Sequence, residues 1–188
     1  MLDKQGASNL AEQQQVLRPV IRLVKKYKLV IIGEREFHSI ELAQGLHSQH
    51  LSFVLRQKSN TTFREKKQPF PILNSIPVQP GIHLFYLQIN STQNKGFSRF
   101  NLVVYWKRKY KGKQEEEPWY LLTNLPDLKS ANKIYGQRYG IEAMFKNCKT
   151  GGYNLDGSQA SPDKLIALMT LVALAITSAW LQGKRTKL

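Results

Sequence analysis

Residues 28–56 constrain the fold more than any other part of the chain. Lys28–Gly33 (KLVIIG) is a short continuous apolar run bounded by a lysine and a glycine, the pattern of a strand buried on both faces. Residues 38–50 read as a helix with Ile40, Leu42, Ala43 and Leu46 turned inward. Leu51–Arg56 (LSFVLR) is a second strand of the same kind. Two strands separated by a helix cannot pair as a tight hairpin, because the crossover returns the chain in the same direction. The triplet therefore predicts a parallel unit and an α/β sheet.

The flanks add a helix on one side and strands on the other. Asn9 to Tyr27 reads as a helix capped by Asn9, with Glu12 at the capping-box position and Leu17, Val20, Ile21 and Val24 as its apolar stripe. Pro19 is expected to kink it. After residue 57, Pro69, Pro71, Pro77 and Pro80 exclude a long helix. His83–Ile89, Phe100–Trp106 and Trp119–Thr123 read as strands, with loops at 90–98 and 111–117. Leu128 to about Lys149 reads as one long helix closed by Gly151-Gly152, followed by a loop at 153–160. Ser161-Pro162-Asp163 starts a last helix. Its 17 uncharged residues, Leu165–Leu181, fit a buried core helix better than a membrane span of roughly 20 residues. Three regions follow: 1–56, a strand–helix layer; 57–127, an inserted antiparallel β segment; and 128–188, C-terminal helices.

A chain of 188 residues with 41% hydrophobic composition can bury one real core, and its apolar residues are too evenly spread for intrinsic disorder. The formal charge is +15, and residues 51–113 supply most of it, with twelve Lys or Arg against one acid, Glu65. Aromatics are interleaved there. One sign of charge over so long a stretch predicts a polyanionic partner, with lysine and arginine neutralising phosphates and Lys107, Arg108 and Lys109 the densest cluster. A solvated strand face over core aromatics is the alternative at any single residue. Cys148 is the one cysteine, so no internal disulfide framework exists. The first residues carry no apolar run of a secretory signal. His47 and His50 share a helix face without a third ligand in view.

Two features carry chemistry. Glu34 follows the first strand directly, at the strand end where α/β sheets bind ligands. In the helix read over 128–149, Tyr135, Arg138, Glu142 and Lys149 fall within roughly 60° of one another at about 100° per residue. A salt-bridged solvent face is the alternative, since Arg138 and Glu142 are i,i+4 partners.

Tyr135-Gly-Gln-Arg138-Tyr-Gly-Ile-Glu142-Ala-Met-Phe-Lys-Asn-Cys-Lys149 resembles the Tyr, Arg, Glu, Lys signature of a branch of bacterial insertion-sequence transposases of the DDE superfamily. Val30-Ile-Ile-Gly-Glu34-Arg-Glu-Phe37 resembles the strand block with that family's second catalytic aspartate. Asn9-Leu-Ala-Glu-Gln13 and Trp119-Tyr-Leu-Leu-Thr-Asn124 are similar to it too, so the resemblance spans about residues 8–180. It implies a partial ribonuclease-H-like core at 1–56, a β insertion at 57–127 and a signature helix after it. It also implies Mg²⁺ or Mn²⁺ held by Glu34 and Glu142, and DNA at the element ends held by Tyr135, Arg138 and Lys149. The implied activity is hydrolysis at the element end, then attack of the freed 3′-hydroxyl on target DNA, in the bacterial cytoplasm at the nucleoid and away from membranes. Implied partners beyond DNA are a second copy or full-length transposase.

The sequence departs from that pattern in two places. Glu34 stands where the family has aspartate, and no residue before Asn9 matches the first aspartate. The expectation is therefore an N-terminally truncated transposase that binds metal weakly and does not cut DNA. The alternative is a non-enzymatic DNA-binding protein that inhibits or regulates the full-length enzyme.

Overall fold

The computed structural model describes residues 8–64, 71–91, 99–109, 111–112, 115–149, 157 and 159–185. The expected closure at Gly151-Gly152, most of the loops at 90–98 and 153–160, Lys66, Lys67, Lys95 and the side chain of Lys149 lie outside the described residues. The chain divides into two compact units, Met1–Tyr135 and Gly136–Leu188.

The first unit is a mixed α/β layer structure. Helix α1 (Leu10–Val24) opens with the anticipated capping box: the Asn9 side chain accepts from the Glu12 N–H, and the Glu12 carboxylate accepts from the Asn9 N–H. Strand β1 (Val30–Gly33) leads through a 3₁₀ turn (Arg35–Phe37) into α2 (Ile40–Ser48), capped by Ser39, and then β2 (Ser52–Arg56). Strands β1 and β2 pair in parallel, Val30 with Ser52 through Gly33 with Leu55. This is the crossover unit expected from the triplet.

The β segment supplies further strands of the same sheet. Strands β3 (His83–Asn90), β4 (Arg99–Tyr105) and β5 (Trp119–Thr123) join the same sheet, in the order β1-β2-β5-β4-β3. Only β1–β2 is parallel; β2–β5, β5–β4 and β4–β3 are antiparallel. Strand β1 is thereby an edge strand, and Val30, Ile31 and Ile32 are half-buried, not enclosed on both faces as expected.

Side-chain alternation sorts the core into two clusters across the sheet. Phe53, Leu55, Leu102, Val104, Tyr120 and Leu122 pack with Ile40, Leu42, Ala43 and Leu46 of α2, and Leu17 and Ile21 of α1 reach the same cluster. Val20, expected in the α1 stripe, is exposed. The interleaved Val54, Val103 and Leu121 turn the other way, onto Ala131 and Tyr135 of helix α3 (Leu128–Gly136). The end of β5 is fixed by Asn124, whose side-chain amide accepts from the Phe53 N–H at 3.0 Å and donates to the Leu51 carbonyl at 2.8 Å. His47 packs edge-on against Phe100 and lies 3.5 Å from that amide nitrogen, an ordinary structural role.

The helix expected over 128–149 is two helices. Helix α3 ends at Gly136, and α4 (Tyr139–Lys149) begins after a turn at Gln137-Arg138. Glycines at 136 and 140 bracket the break and make it inexpensive. A face reckoned with one continuous 100° step does not carry across it.

In the second unit, α4 packs on helix α5 (Pro162–Arg185) through Cys148 and Val172, with Met144, Leu165, Met169 and Ile176 around them. A buried core helix was expected here, yet only 6% of the window Pro162–Ala179 is buried. An 11-residue partner covers one stripe of a 24-residue helix, and Ile166, Leu168, Leu171 and Leu174 remain exposed. By length and composition alone this window, with mean hydropathy 1.5, could cross a membrane.

Candidate active site

Glu34 owes its position to Gly33. A Cβ on Gly33 would lie 2.7 Å from the Cβ of Phe37 and 2.8 Å from Leu55 Cδ2, so only glycine lets the chain fold back this tightly. The Phe37 N–H closes the 3₁₀ turn on the Glu34 carbonyl at 2.8 Å. The turn is anchored from α1: Ser8 donates to the Glu36 carboxylate through both its N–H and its hydroxyl, and the Gln13 amide donates to the Glu36 carbonyl. The Glu34 side chain, 42% exposed, therefore leaves the sheet at the C-terminal end of β1.

Tyr135 meets it there. The phenol donates to Glu34 Oε1 at 2.5 Å across a sequence separation of 101 residues. The ring is fully buried and packs edge-on against Trp119 with centroids 4.9 Å apart. The Tyr135 ring is thus enclosed, and its polar end is engaged by Glu34. Trp119 is buried, and Trp106 is half-buried with its indole N–H donating to the Glu115 carbonyl.

Sequence reasoning missed the third partner. Arg56 ends β2 one step beyond the Gly33–Leu55 pair, so parallel register brings it to the same sheet end as Glu34. Its Nη1 is 3.5 Å from Glu34 Oε2, and its Nη2 donates to Glu117 Oε1 at 3.1 Å. Glu117, just before β5, also pairs with Arg35 of the 3₁₀ turn. The signal was present in the sequence, in the placement of Glu34 and Arg56 at the C-terminal ends of two strands read as parallel, each four residues past its strand's first residue. Glu117 became predictable only once β5 was known to pair with β2.

Glu142 and Arg138 belong to the second unit. Arg138 is ion-paired with Glu142 in the first turn of α4, as i,i+4 spacing allows, and its guanidinium lies 5.0 Å from the Tyr139 ring. The Glu142 side chain is 53% exposed. Lys149 is the last residue of α4. Lys107, Arg108 and Lys109 follow β4 and are exposed, as a phosphate-binding cluster requires.

The donor set around Glu34 does not fit a divalent ion in this arrangement. Tyr135 engages one of its oxygens and Arg56 faces the other, and Glu117 is held by two guanidiniums. Among the described residues no three His, Cys, Asp or Glu side chains gather into a metal-sized group.

No curated protein matches the chain significantly. The model of the transposase DDE domain matches residues 3–178, nearly the whole chain, and on that coverage the chain belongs to the DDE transposase family of insertion sequences.

Proposed function

We propose that the chain is a DNA-binding transposase domain of the Tyr-Arg-Glu-Lys branch, built on part of a ribonuclease-H-like core and acting at element ends on bacterial DNA in the cytoplasm. Glu34 and Glu142 correspond to carboxylates of the family's catalytic set, which generally serves Mg²⁺ or Mn²⁺; in the arrangement described, Glu34 is taken up by Tyr135 and Arg56 instead. Arg138, Lys149, Lys107, Arg108 and Lys109 hold phosphates as charge-assisted donors. Tyr135 acts through Glu34, whose carboxylate it orients. The observation that carries this reading is the Tyr135–Glu34 hydrogen bond, since it joins the first residue of the signature to the acid of the strand block.

We further propose that this chain by itself does not cut DNA. The support is the ligand set: Glu34 is already engaged by a phenol and a guanidinium, and it is one methylene longer than the family's aspartate, a difference of roughly 1.5 Å in reach. The second reading, a non-enzymatic protein that occupies element ends or associates with full-length transposase, is favoured by the same Arg56 contact. One experiment covers both. Purified chain is incubated with end-bearing donor DNA and Mg²⁺ or Mn²⁺, and both retention and nicking are followed. The expected result is a shifted band without nicks. Nicking by the unmodified chain that Glu142→Ala abolishes would overturn the inactive reading, and failure to bind DNA would overturn both.

A further inference from the structure

We propose that Arg56 is the resident cation of the Glu34 site, a guanidinium standing where a divalent metal would otherwise balance Glu34 and Glu117. The proposal takes from the functional reading only that Glu34 is a potential metal ligand, and it concerns metal access, not DNA cutting.

The charge pattern carries the argument. Glu34 and Glu117 contribute two negative charges, and Arg56 and Arg35 two positive ones, all within one chain of ion pairs: Arg35 with Glu117, Glu117 with Arg56, Arg56 with Glu34. These four described side chains sum to zero formal charge, so together they present no net negative charge to attract a dication. Geometry points the same way. The Arg56 side chain is 13% exposed, the most enclosed of the four, and its two terminal nitrogens reach toward different carboxylates. A metal needs oxygen lone pairs directed at it from about 2.0–2.1 Å in the case of Mg²⁺. Here Glu34 gives one oxygen to the Tyr135 phenol and turns the other to Arg56.

The identity of the cation matters. A lysine or histidine could lose its proton and vacate the position as a neutral group. Arginine stays charged at every accessible pH, so the position is cleared only when the side chain moves away. The strand frame fixes where the side chain starts, because Arg56 pairs with Leu121 of β5 and the next N–H, of Gln57, donates to the Tyr120 carbonyl at 2.7 Å, and its two ion pairs hold the guanidinium in place.

The test is Mn²⁺ titration of the full chain, read by the electron paramagnetic resonance of free Mn²⁺, with circular dichroism to verify folding. Wild type is expected to bind Mn²⁺ at this site no tighter than millimolar. Arg56→Gln leaves the group at a formal charge of −1 and is expected to bind at least tenfold tighter. Arg56→Met, which keeps the packing of the stem, serves if the glutamine variant is unfolded. Arg56→Lys retains the charge and should stay close to wild type. The double variant Arg56→Gln with Glu34→Gln should lose the gain. Folded Arg56→Gln or Arg56→Met binding no better than wild type would overturn the proposal, as would a gain that survives loss of the Glu34 charge. Raising the pH from 6 to 9 should not release the site in wild type; a gain in affinity there comparable to that of Arg56→Gln would also count against it.

Discussion

Tyr135→Phe isolates the contact on which the candidate site turns. The substitution removes one hydroxyl and leaves the ring against Trp119, Val54, Val103 and Leu121. The lost interaction is a 2.5 Å hydrogen bond to a carboxylate, a type that contributes about 1.5–3 kcal/mol. Glu34 is 42% exposed, so water takes over part of what the phenol supplied, and the low end applies, about 1.5 kcal/mol. For a chain of this size that corresponds to roughly 3–6 °C in Tm. Urea unfolding followed by tryptophan fluorescence gives the value directly, since Trp119 lies against the altered ring. Tyr135→Ala is the contrast, because it removes the ring as well, and large aromatic truncations cost about 3–5 kcal/mol. Pairing Tyr135→Phe with Glu34→Gln completes the test: two residues in contact should be non-additive by at least about 0.5 kcal/mol. Equal stability of Tyr135→Phe and wild type, or strict additivity in the cycle, would refute the claim that the phenol holds Glu34.

Gly33→Ala should destabilise the first unit by about 1–3 kcal/mol in the same urea assay, because the new methyl collides with Phe37 and Leu55 in a packed region. Asp127 caps α3 by accepting from the Ser130 N–H at 2.8 Å, and that bond, with the Ser130 side chain second, holds its carboxyl below the usual range. A depressed carboxyl contributes stability that is present above its unfolded value of about 3.9 and is lost as pH falls through the lower folded value. Asp127→Asn should therefore flatten the acid limb of a stability–pH curve and leave neutral pH behaviour otherwise similar in shape. Affinity for duplex DNA should fall about a thousandfold between 50 and 200 mM salt if about six phosphates are contacted. Reversing Lys107, Arg108 and Lys109 to glutamate should weaken binding and flatten that slope; unchanged binding in fluorescence anisotropy would remove this cluster from the interface.

Local signals carried well from sequence to structure. The inward set of α2, the Asn9–Glu12 capping box and the positions of all five strands were legible, because each depends on residues within a few positions of one another. Features that depend on distant partners were not. The turn at Gln137-Arg138 interrupts a pattern whose apolar spacing continues through it, and only the glycines at 136 and 140 hinted at it. The joining of β5 to β2 decides that Glu117 meets Arg56, yet nothing within 115–123 specifies which strand β5 will choose. Composition gave α5 as a helix correctly but misjudged its burial, since an apolar sequence states what a helix could bury and not how much partner surface exists. For the site, Glu34 was placed by its strand end, while the contact of the Tyr135 phenol with Glu34 was not legible, because the signature says nothing about which way that phenol points.

Strand β1 has consequences for how copies of the chain behave in concentrated solution. Among the described residues it is one edge of the sheet, β3 being the other, and its Val-Ile-Ile run is half-buried beside the β2 ladder. Such an edge is a template for another strand, and two molecules meeting there could extend the sheet from one chain into the next. What opposes the encounter is long-range repulsion between bodies that each carry a formal +15. The range of that repulsion shrinks from about 10 Å at 0.1 M salt to about 3 Å at 1 M. The colloidal stability of the chain is thus tied to ionic strength in the opposite sense to most salt-stabilised proteins: dilute buffer keeps the edges apart, concentrated salt lets them approach, and a bound polyanion, by cancelling the charge, brings the same edges within reach of one another along its length.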